Sequence, residues 1–229
     1  MTQAKTIEVR QSILAANQQA AADLRASFSR RGTLVVNLIS SPGSGKTTLL
    51  EATLQGLSDL RPAVLEGDIA TERDAERIRR MGIPARQILT GGACHLDARQ
   101  VQRELAEARF PEFDVLFIEN VGNLICPTSY DLGEDFKTVV LSVTEGDDKP
   151  FKYPGIFSRA SVTIISKMDL LPHVEFDLAA VEEQVGTLNP GSRVIRTSAR
   201  SGEGIDEWCS YLRDASHTKL ARVSGRDPA

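Results

Sequence analysis

The chain has 229 residues, 41% of them hydrophobic and 25% charged, enough for one α/β domain whose core needs no disulfide staple. Its net charge is −4 and it carries no Lys/Arg run, so no electrostatic feature favours a nucleic-acid or anionic-membrane partner. No stretch is long and apolar enough to cross a bilayer, the opening MTQAKTIEVR lacks the apolar centre of a secretory signal, and cysteines at 94, 126 and 209 make no disulfide framework. A cytoplasmic protein is expected, with its cysteines either buried or binding metal.

Residues 7–28 contain neither Gly nor Pro. Ile13, Leu14, Ala20, Ala21, Leu24 and Phe28 recur there at helical spacing, which predicts an amphipathic helix packed on the rest of the chain. Arg30, Arg31 and Gly32 end it. The expected organisation is therefore an N-terminal helical element over 1–32, a nucleotide-binding domain over 33–221, and a flexible polar tail over 222–229.

The strongest signal follows in residues 37–48, NLISSPGSGKTT. An apolar strand, predicted over 33–39, runs into a loop of small residues and then a helix from Lys46 to about Leu57. Such a loop lets backbone N–H groups close around phosphates; Lys46 reaches the β and γ oxygens and the Thr47 hydroxyl ligates Mg²⁺. Gly43, Ser44, Gly45, Lys46, Thr47 and Thr48 form the candidate cradle, and the helix N-terminus adds its dipole. Ser40 stands where the usual pattern begins with Gly. Leu49, Leu50, Leu54 and Leu57 give the helix its buried stripe.

A second strand over 63–65 runs on to Glu66-Gly67-Asp68, at the carboxyl edge where open parallel sheets bind ligands. Asp68 reads either as a Mg²⁺-shell carboxylate or as the cap of a helix expected over 71–80. A third strand is predicted at 85–89, and after it comes Thr90-Gly91-Gly92-Ala93-Cys94-His95-Leu96-Asp97, then a helix with Leu96, Val101, Leu105 and Ala108 on one face. A strand over 113–118 delivers Glu119 to the same edge, with Gly122 at the spacing of a γ-phosphate-sensing glycine. Cys126-Pro127 leads into a polar loop. Taken alone, the Cys94-His95 pair favours a structural role over metal binding, because chance adjacency is common and zinc-finger spacing is absent.

Further strands are predicted over 137–143, 161–166 and 194–196. Residues 144–150, TEGDDKP, read as a solvated turn. After the strand at 161–166 come Lys167 and Asp169, the pattern by which a carboxylate takes the N1 and amino edge of guanine while a lysine stem covers the ring. Alone this pair is weak; it gains weight from the phosphate loop and from Ser198-Ala199, whose backbone can meet the guanine carbonyl. The last helix is predicted over 204–220, with Ile205, Trp208, Cys209, Leu212 and Leu220 inward; Cys209 reads as a core thiol. Alternating strands and helices make the fold class α/β, a mostly parallel, doubly wound P-loop NTPase sheet flanked by helices in a single domain.

These motifs, NLISSPGSGKTTLL, EGDIATERDAERI, GGACHLDA, FIENVGNLICP and SVTEGDDKP with the Lys167/Asp169 pair, resemble those of the hydrogenase nickel-incorporation GTPases, the HypB family, within the dimerising (SIMIBI) class that also includes the urease nickel chaperone UreG. The resemblance spans nearly the whole chain from about residue 17 to 208, and Ser40 is normal within that family. It implies slow GTP hydrolysis with Lys46, Thr47, Asp68 and Glu119 as the catalytic set. Thr47, Asp68 and Glu119 would hold Mg²⁺, while Gly122, Lys167, Asp169, Ser198 and Ala199 complete the GTP site. It further implies a Ni²⁺ or Zn²⁺ site of Cys94, His95 and Cys126 near a two-fold homodimer interface. The implied partners are a hydrogenase large-subunit precursor and a nickel chaperone of the HypA type.

Two departures stand out. Ser166 occupies the position where the guanine motif usually starts with Asn, removing an amide that braces the loop. Residues 1–40 hold no Cys and no His, so the high-affinity N-terminal nickel motif or storage tract of many relatives is not expected. Two alternatives remain: a urease-type nickel chaperone GTPase and a nucleotide-gated metal carrier with negligible hydrolysis. An ATPase of the same dimerising class is argued against, since that class carries an extra lysine early in the loop, where this chain has Ser41. No arginine finger is assigned; Arg73 and Arg77, just after Asp68, are the ones to test.

Overall fold

The computed structural model describes residues 3–68, 73–107, 110–223 and 225. Its strands are β1 (Leu34–Ser40), β2 (Pro62–Asp68), β3 (Ala85–Leu89), β4 (Val115–Glu119), β5 (Phe136–Ser142), β6 (Ala160–Ser166) and β7 (Arg193–Arg196). They form one sheet in the order β3-β2-β4-β1-β5-β6-β7, and every neighbouring pair is parallel. All seven residues of β1 are buried, as befits a central strand covered on both faces, which is why it reads as a continuous apolar run.

The helices are α1 (Gln3–Arg31), α2 (Lys46–Gly56), α3 (Arg73–Arg80), α4 (Ala98–Glu107), the short α5 (Lys149–Lys152) and α6 (Pro154–Phe157), α7 (Leu178–Leu188) and α8 (Ile205–Val223). On one face, leucines 49, 50, 54 and 57 of the α2 segment join Trp208, Cys209 and Leu212 of α8 over the inner residues of β1, β2 and β4. On the other, Ala20, Ala21, Leu24 and Phe28 of α1 pack with Leu96, Ala98 and Val101. Each fully buried large side chain in these layers contributes about 1.5–3 kcal/mol of transfer free energy.

Several expected boundaries shift. The first helix runs past 7–28 to Gln3–Arg31, while the side chain of Ile13 lies outside the described residues. The third helix begins at Arg73, residues 71 and 72 being outside the described set, as is Ala108. The fourth strand starts two residues later, at Val115. Arg222 and Val223, expected in the tail, form the last turn of α8, and the tail residues beyond them are outside the described set except Gly225. Leu220, expected inward, is 52% exposed, because the helix turns that position away from the layer held by Trp208 and Leu212.

Two segments are more ordered than their composition suggests. Residues 144–150 are no solvated turn: Ser142 caps a 3-10 turn at Val143–Glu145, with a reciprocal bond from Glu145 back to its backbone, and Pro150 is buried in α5. Helix α7, absent from the sequence reading, is capped by Asp177, whose carboxylate accepts from Ala180 N–H at 3.0 Å.

One long-range contact makes α1 part of the functional edge. Asn17, 1% exposed, accepts from Ala98 N–H at 2.8 Å and donates to the Asp131 carbonyl at 2.8 Å. It thereby joins the start of α4 to the segment before β5. Asn17→Ala leaves a buried donor and acceptor unpaired, an expected loss of about 1–3 kcal/mol of stability; urea denaturation checks it, and a change below about 0.5 kcal/mol, within the range of an ordinary surface substitution, would deny Asn17 this role.

Candidate nucleotide and metal site

Because every strand is parallel, their carboxyl ends arrive at one edge of the sheet. There a cavity of about 560 Å³ is lined by Gly43, Gly45, Lys46, Thr47 and Thr48 from the loop after β1, Asp68 from β2, Glu119 and Gly122 from the end of β4, and Lys167 after β6. Gly45, with φ 92, stands before α2 in the left-handed region and offers no side-chain cap. The first N–H groups of the helix are thus left facing the cavity, the arrangement that receives phosphate.

Lys46 is 8% exposed, and burial pushes its ammonium pKa down, opposed most by the Glu119 carboxylate. Lys46 Nζ donates to Ser40 Oγ at 2.8 Å, and the same oxygen accepts from Ser44 Oγ. The serine in the usual glycine position therefore supplies an acceptor for the buried lysine. Gly122 lies against the loop so closely that a Cβ on it would sit 3.0 Å from Pro42 Cγ and 3.1 Å from Pro42 backbone atoms. Only a glycine makes that approach without displacing the loop.

Thr47 Oγ1 donates to Glu119 Oε1 at 2.9 Å. Glu119 Oε2 is buried with no hydrogen-bond partner among the described residues, and so is Glu66 Oε1. These two carboxyls lie on neighbouring strands in direct register. Orphaned hard oxygens beside a threonine hydroxyl, with Asp68 on the same cavity wall, fit a Mg²⁺ ion.

Glu66 was missed in the sequence, where it reads as an ordinary strand residue before Gly67. It is 3% exposed; burial first, and then the neighbouring Glu119 charge, push its pKa up to about 9. Arg77 also lines the cavity, where its guanidinium is engaged by carboxylates: it donates to both oxygens of Glu51 at 3.0 and 2.7 Å and to Asp74 at 3.2 Å.

At the base end, Lys167 has φ 60, the one described non-glycine residue in the left-handed region, and its Nζ donates to the Gly43 carbonyl at 2.7 Å. Asp169 accepts from Ser198 Oγ at 2.6 Å, with Ala199 half-buried just beyond, so the two halves of the expected guanine motif meet. Ser166 keeps the bracing that its missing amide was expected to forfeit: its hydroxyl donates to the Ser44 carbonyl at 2.8 Å.

Immediately beside this cavity, Cys94, His95 and Cys126 bring a ligand atom each to within 4.8 Å of one another. Gly91 and Gly92, at φ 61 and 92, form the left-handed turn that presents Cys94 and His95. Cys94 Sγ is 3.5 Å from His95 Nδ1, and the His95 ring packs on Tyr130 with centroids 3.8 Å apart. Cys126 opens a 3-10 turn and is held by Asn123, which accepts from its N–H at 3.2 Å and donates to its sulfur at 3.4 Å. Burial pushes the His95 pKa down, which favours the neutral imidazole that a metal requires, and the contact with Cys94 pushes the Cys126 thiol up. Two sulfurs and an imidazole suit borderline ions such as Ni²⁺ and Zn²⁺.

A parallel sheet with a phosphate loop at its carboxyl edge and a sulfur–imidazole cluster alongside defines the class. Residues 34–196 match the CobW/HypB/UreG nucleotide-binding domain. The chain is 49% identical over 225 residues to the hydrogenase maturation factor HypB of Azotobacter vinelandii, covering 97% of this chain and 74% of that protein. It is 45% identical to the hydrogenase/urease maturation factor HypB of Helicobacter hepaticus, covering 95% and 90%. The crystal structure of HypB from Helicobacter pylori in complex with nickel superposes with a TM-score of 0.83 at 39% identity, covering 88% of this chain and 95% of that one. The chain belongs to the HypB family of hydrogenase maturation factors.

The buried Glu66 makes stability depend on pH in a definite direction. The folded state holds its proton up to about pH 9, whereas the unfolded chain releases it near the ordinary value of about 4.3, so the stability of the nucleotide-free protein falls as pH rises between the two. Glu66→Gln should flatten that slope and stabilise the protein at pH 7 by up to about 3 kcal/mol; melting temperatures from pH 5 to 9 measure it, and equal slopes for variant and parent would count against the shift.

Proposed function

We propose that this protein is a GTP-hydrolysing nickel metallochaperone that assists nickel insertion into a [NiFe]-hydrogenase precursor. The observation that carries this reading is adjacency: Cys94 and His95 hang from the loop after β3, Cys126 from the loop after β4, and the second of these loops also contains the Glu119 and Gly122 that line the nucleotide cavity. Nucleotide state and cargo geometry therefore share one short segment.

In this reading the loop from Gly43 to Thr48 cradles the phosphates and Lys46 leaves Ser40 for the β and γ oxygens. Thr47, Asp68 and Glu119 hold Mg²⁺, which when bound supplies positive charge against the developing negative charge of phosphoryl transfer. Lys167, Asp169, Ser198 and Ala199 receive guanine. Hydrolysis is then positioning and electrostatics: water attacks the γ-phosphorus and the bond to the β–γ bridging oxygen breaks, with charge offset by Lys46 and the helix N-terminus. With Arg77 tied to Glu51 and Asp74, slow turnover follows.

Cys94, His95 and Cys126 are the ligand set for the cargo, Ni²⁺ or Zn²⁺. Three donors on one chain leave a coordination position that a second copy can fill across a two-fold axis. Ile125, 65% exposed beside Cys126, and Leu89, 63% exposed at the end of β3, are apolar surface for such a homodimer. The remaining partners in this reading are the hydrogenase large-subunit precursor and a HypA-type nickel chaperone.

A nucleotide-gated carrier with negligible hydrolysis is the second reading, favoured by the same engagement of Arg77; nickel transfer with GTP compared with a non-hydrolysable analogue separates the two. Two substitutions test the assignments independently. Lys46→Ala should abolish GTP binding with the fold retained, and wild-type affinity would remove the phosphate-loop role. Cys94→Ala should lower nickel or zinc stoichiometry while GTP binding persists, and wild-type stoichiometry would remove the cargo site.

A further inference from the structure

We propose that the amide of Asn120 carries nucleotide state to the Cys94–His95 half of the cargo site, an inference that rests on the nickel-carrier reading above. Asn120 is 1% exposed and lies between Glu119 and the Val121–Gly122 pair. Its Oδ1 accepts two N–H groups from different places: Val121 at 3.0 Å and Leu96 at 3.2 Å. One oxygen thus joins the segment packed on the phosphate loop to the residue directly after His95.

The orientation of this amide is fixed from behind. Asn120 Nδ2 donates to Asn37 Oδ1 at 3.2 Å, and Asn37 Nδ2 donates to Glu134 Oε1 at 3.3 Å. A flipped amide would turn its NH₂ toward two N–H donors and its oxygen toward Asn37 Oδ1, losing every bond in the set. Asn120 therefore follows the end of β4 as a unit.

Leu96 has little freedom of its own. It is fully buried, and a Cβ on Gly67, the residue between Glu66 and Asp68, would lie 2.7 Å from its side chain. When the segment at 121–122 shifts against Pro42, its N–H and that of Leu96 compete for the shared oxygen. The Leu96 N–H then either follows or is left buried without an acceptor, which is unfavourable. The penalty for the unpaired N–H favours the first outcome, in which Leu96 follows and carries His95 with it relative to Cys126.

The network also returns to the cargo site from the other side. Glu134 accepts from Lys137 Nζ, and that ammonium donates to the Tyr130 carbonyl at 2.7 Å; the Tyr130 ring is the one packed on His95. Asn120 is a positioning residue in this scheme, acting on the ligands through the backbone.

The test is a Ni²⁺ titration of the full chain loaded with Mg·GDP or with a Mg·non-hydrolysable GTP analogue, for wild type, Asn120→Ala and Asn37→Ala. In wild type the two nickel affinities should differ. In Asn120→Ala their ratio should fall to about one, and nickel should likewise cease to change the analogue-to-GDP affinity ratio, since coupling between two sites is reciprocal. Asn37→Ala, which frees the amide without removing it, should fall between. A merely structural role would weaken binding in both nucleotide states and preserve the ratio, and that result overturns the proposal. A wild-type ratio of one overturns the nucleotide-gated reading itself and Asn120 with it. Should Asn120→Ala fail to fold, an unchanged ratio in Asn37→Ala overturns the Asn120 link.

Discussion

A buried ammonium sets the terms for this protein. Lys46 sits 8% exposed at the head of α2, and in the absence of phosphate its charge is met by the Ser40 hydroxyl and by the field of Glu119, Glu145, Asp74 and Asp68. Those carboxylates come from the ends of different strands and the helices that follow. They surround one lysine because a wholly parallel sheet delivers every strand end to the same edge. The same excess of acidic groups that steadies Lys46 leaves Glu66 and Glu119 facing each other with orphaned oxygens, an arrangement that favours entry of a divalent cation.

The Cys94–His95–Cys126 cluster inherits its position from that edge. The loop bearing Cys94 and His95 is held to β2 by the Thr90 N–H, which donates to the Asp68 carbonyl at 3.2 Å, and to β4 by the Asn120 oxygen. Cys126 is reached only seven residues after Glu119. No flexible linker separates the phosphate-loop cavity from the Cys94–His95–Cys126 cluster: both are built on the ends of β2 and β4, neighbours in the sheet, so a displacement at one has few degrees of freedom left before it reaches the other.

Local chemistry was legible in the sequence and long-range partnership was not. The phosphate loop, the strand ends carrying Asp68 and Glu119, and the two-faced burial of β1 follow from residue order, since a small-residue loop between an apolar strand and an apolar helix has few other uses. Strand β3 was bounded to the residue by Pro84 and by the Gly pair. Helix α7 escaped because its stripe is short, with only Val181 and Val185 fully buried. Glu66, Asn120, Asn37 and Asn17 escaped for a different reason: each is a common polar residue whose importance lies in a partner 20 to 115 positions away. Ser166 shows the reverse error, since comparison with the usual Asn predicted a lost brace, whereas its hydroxyl ties the loop through the Ser44 carbonyl.

The N-terminal helix looked like a cover and is better understood as a clamp. Its apolar residues Leu24 and Phe28 account for its packing, but packing alone does not require Asn17 to be buried. A polar side chain at that position is stable because both ends of its amide are paired, to Ala98 N–H on the Cys94–His95 side and to the Asp131 carbonyl on the Cys126 side. Arg25 adds an ion pair to Asp131 at 2.6 Å. The two segments that supply the sulfur and imidazole ligands are thus tied together from outside by α1 and from inside by Asn120 and Asn37. A site whose ligands come from separate loops holds its geometry only as well as those loops are tied, and here both ties are side-chain amides bonded at both the oxygen and the nitrogen.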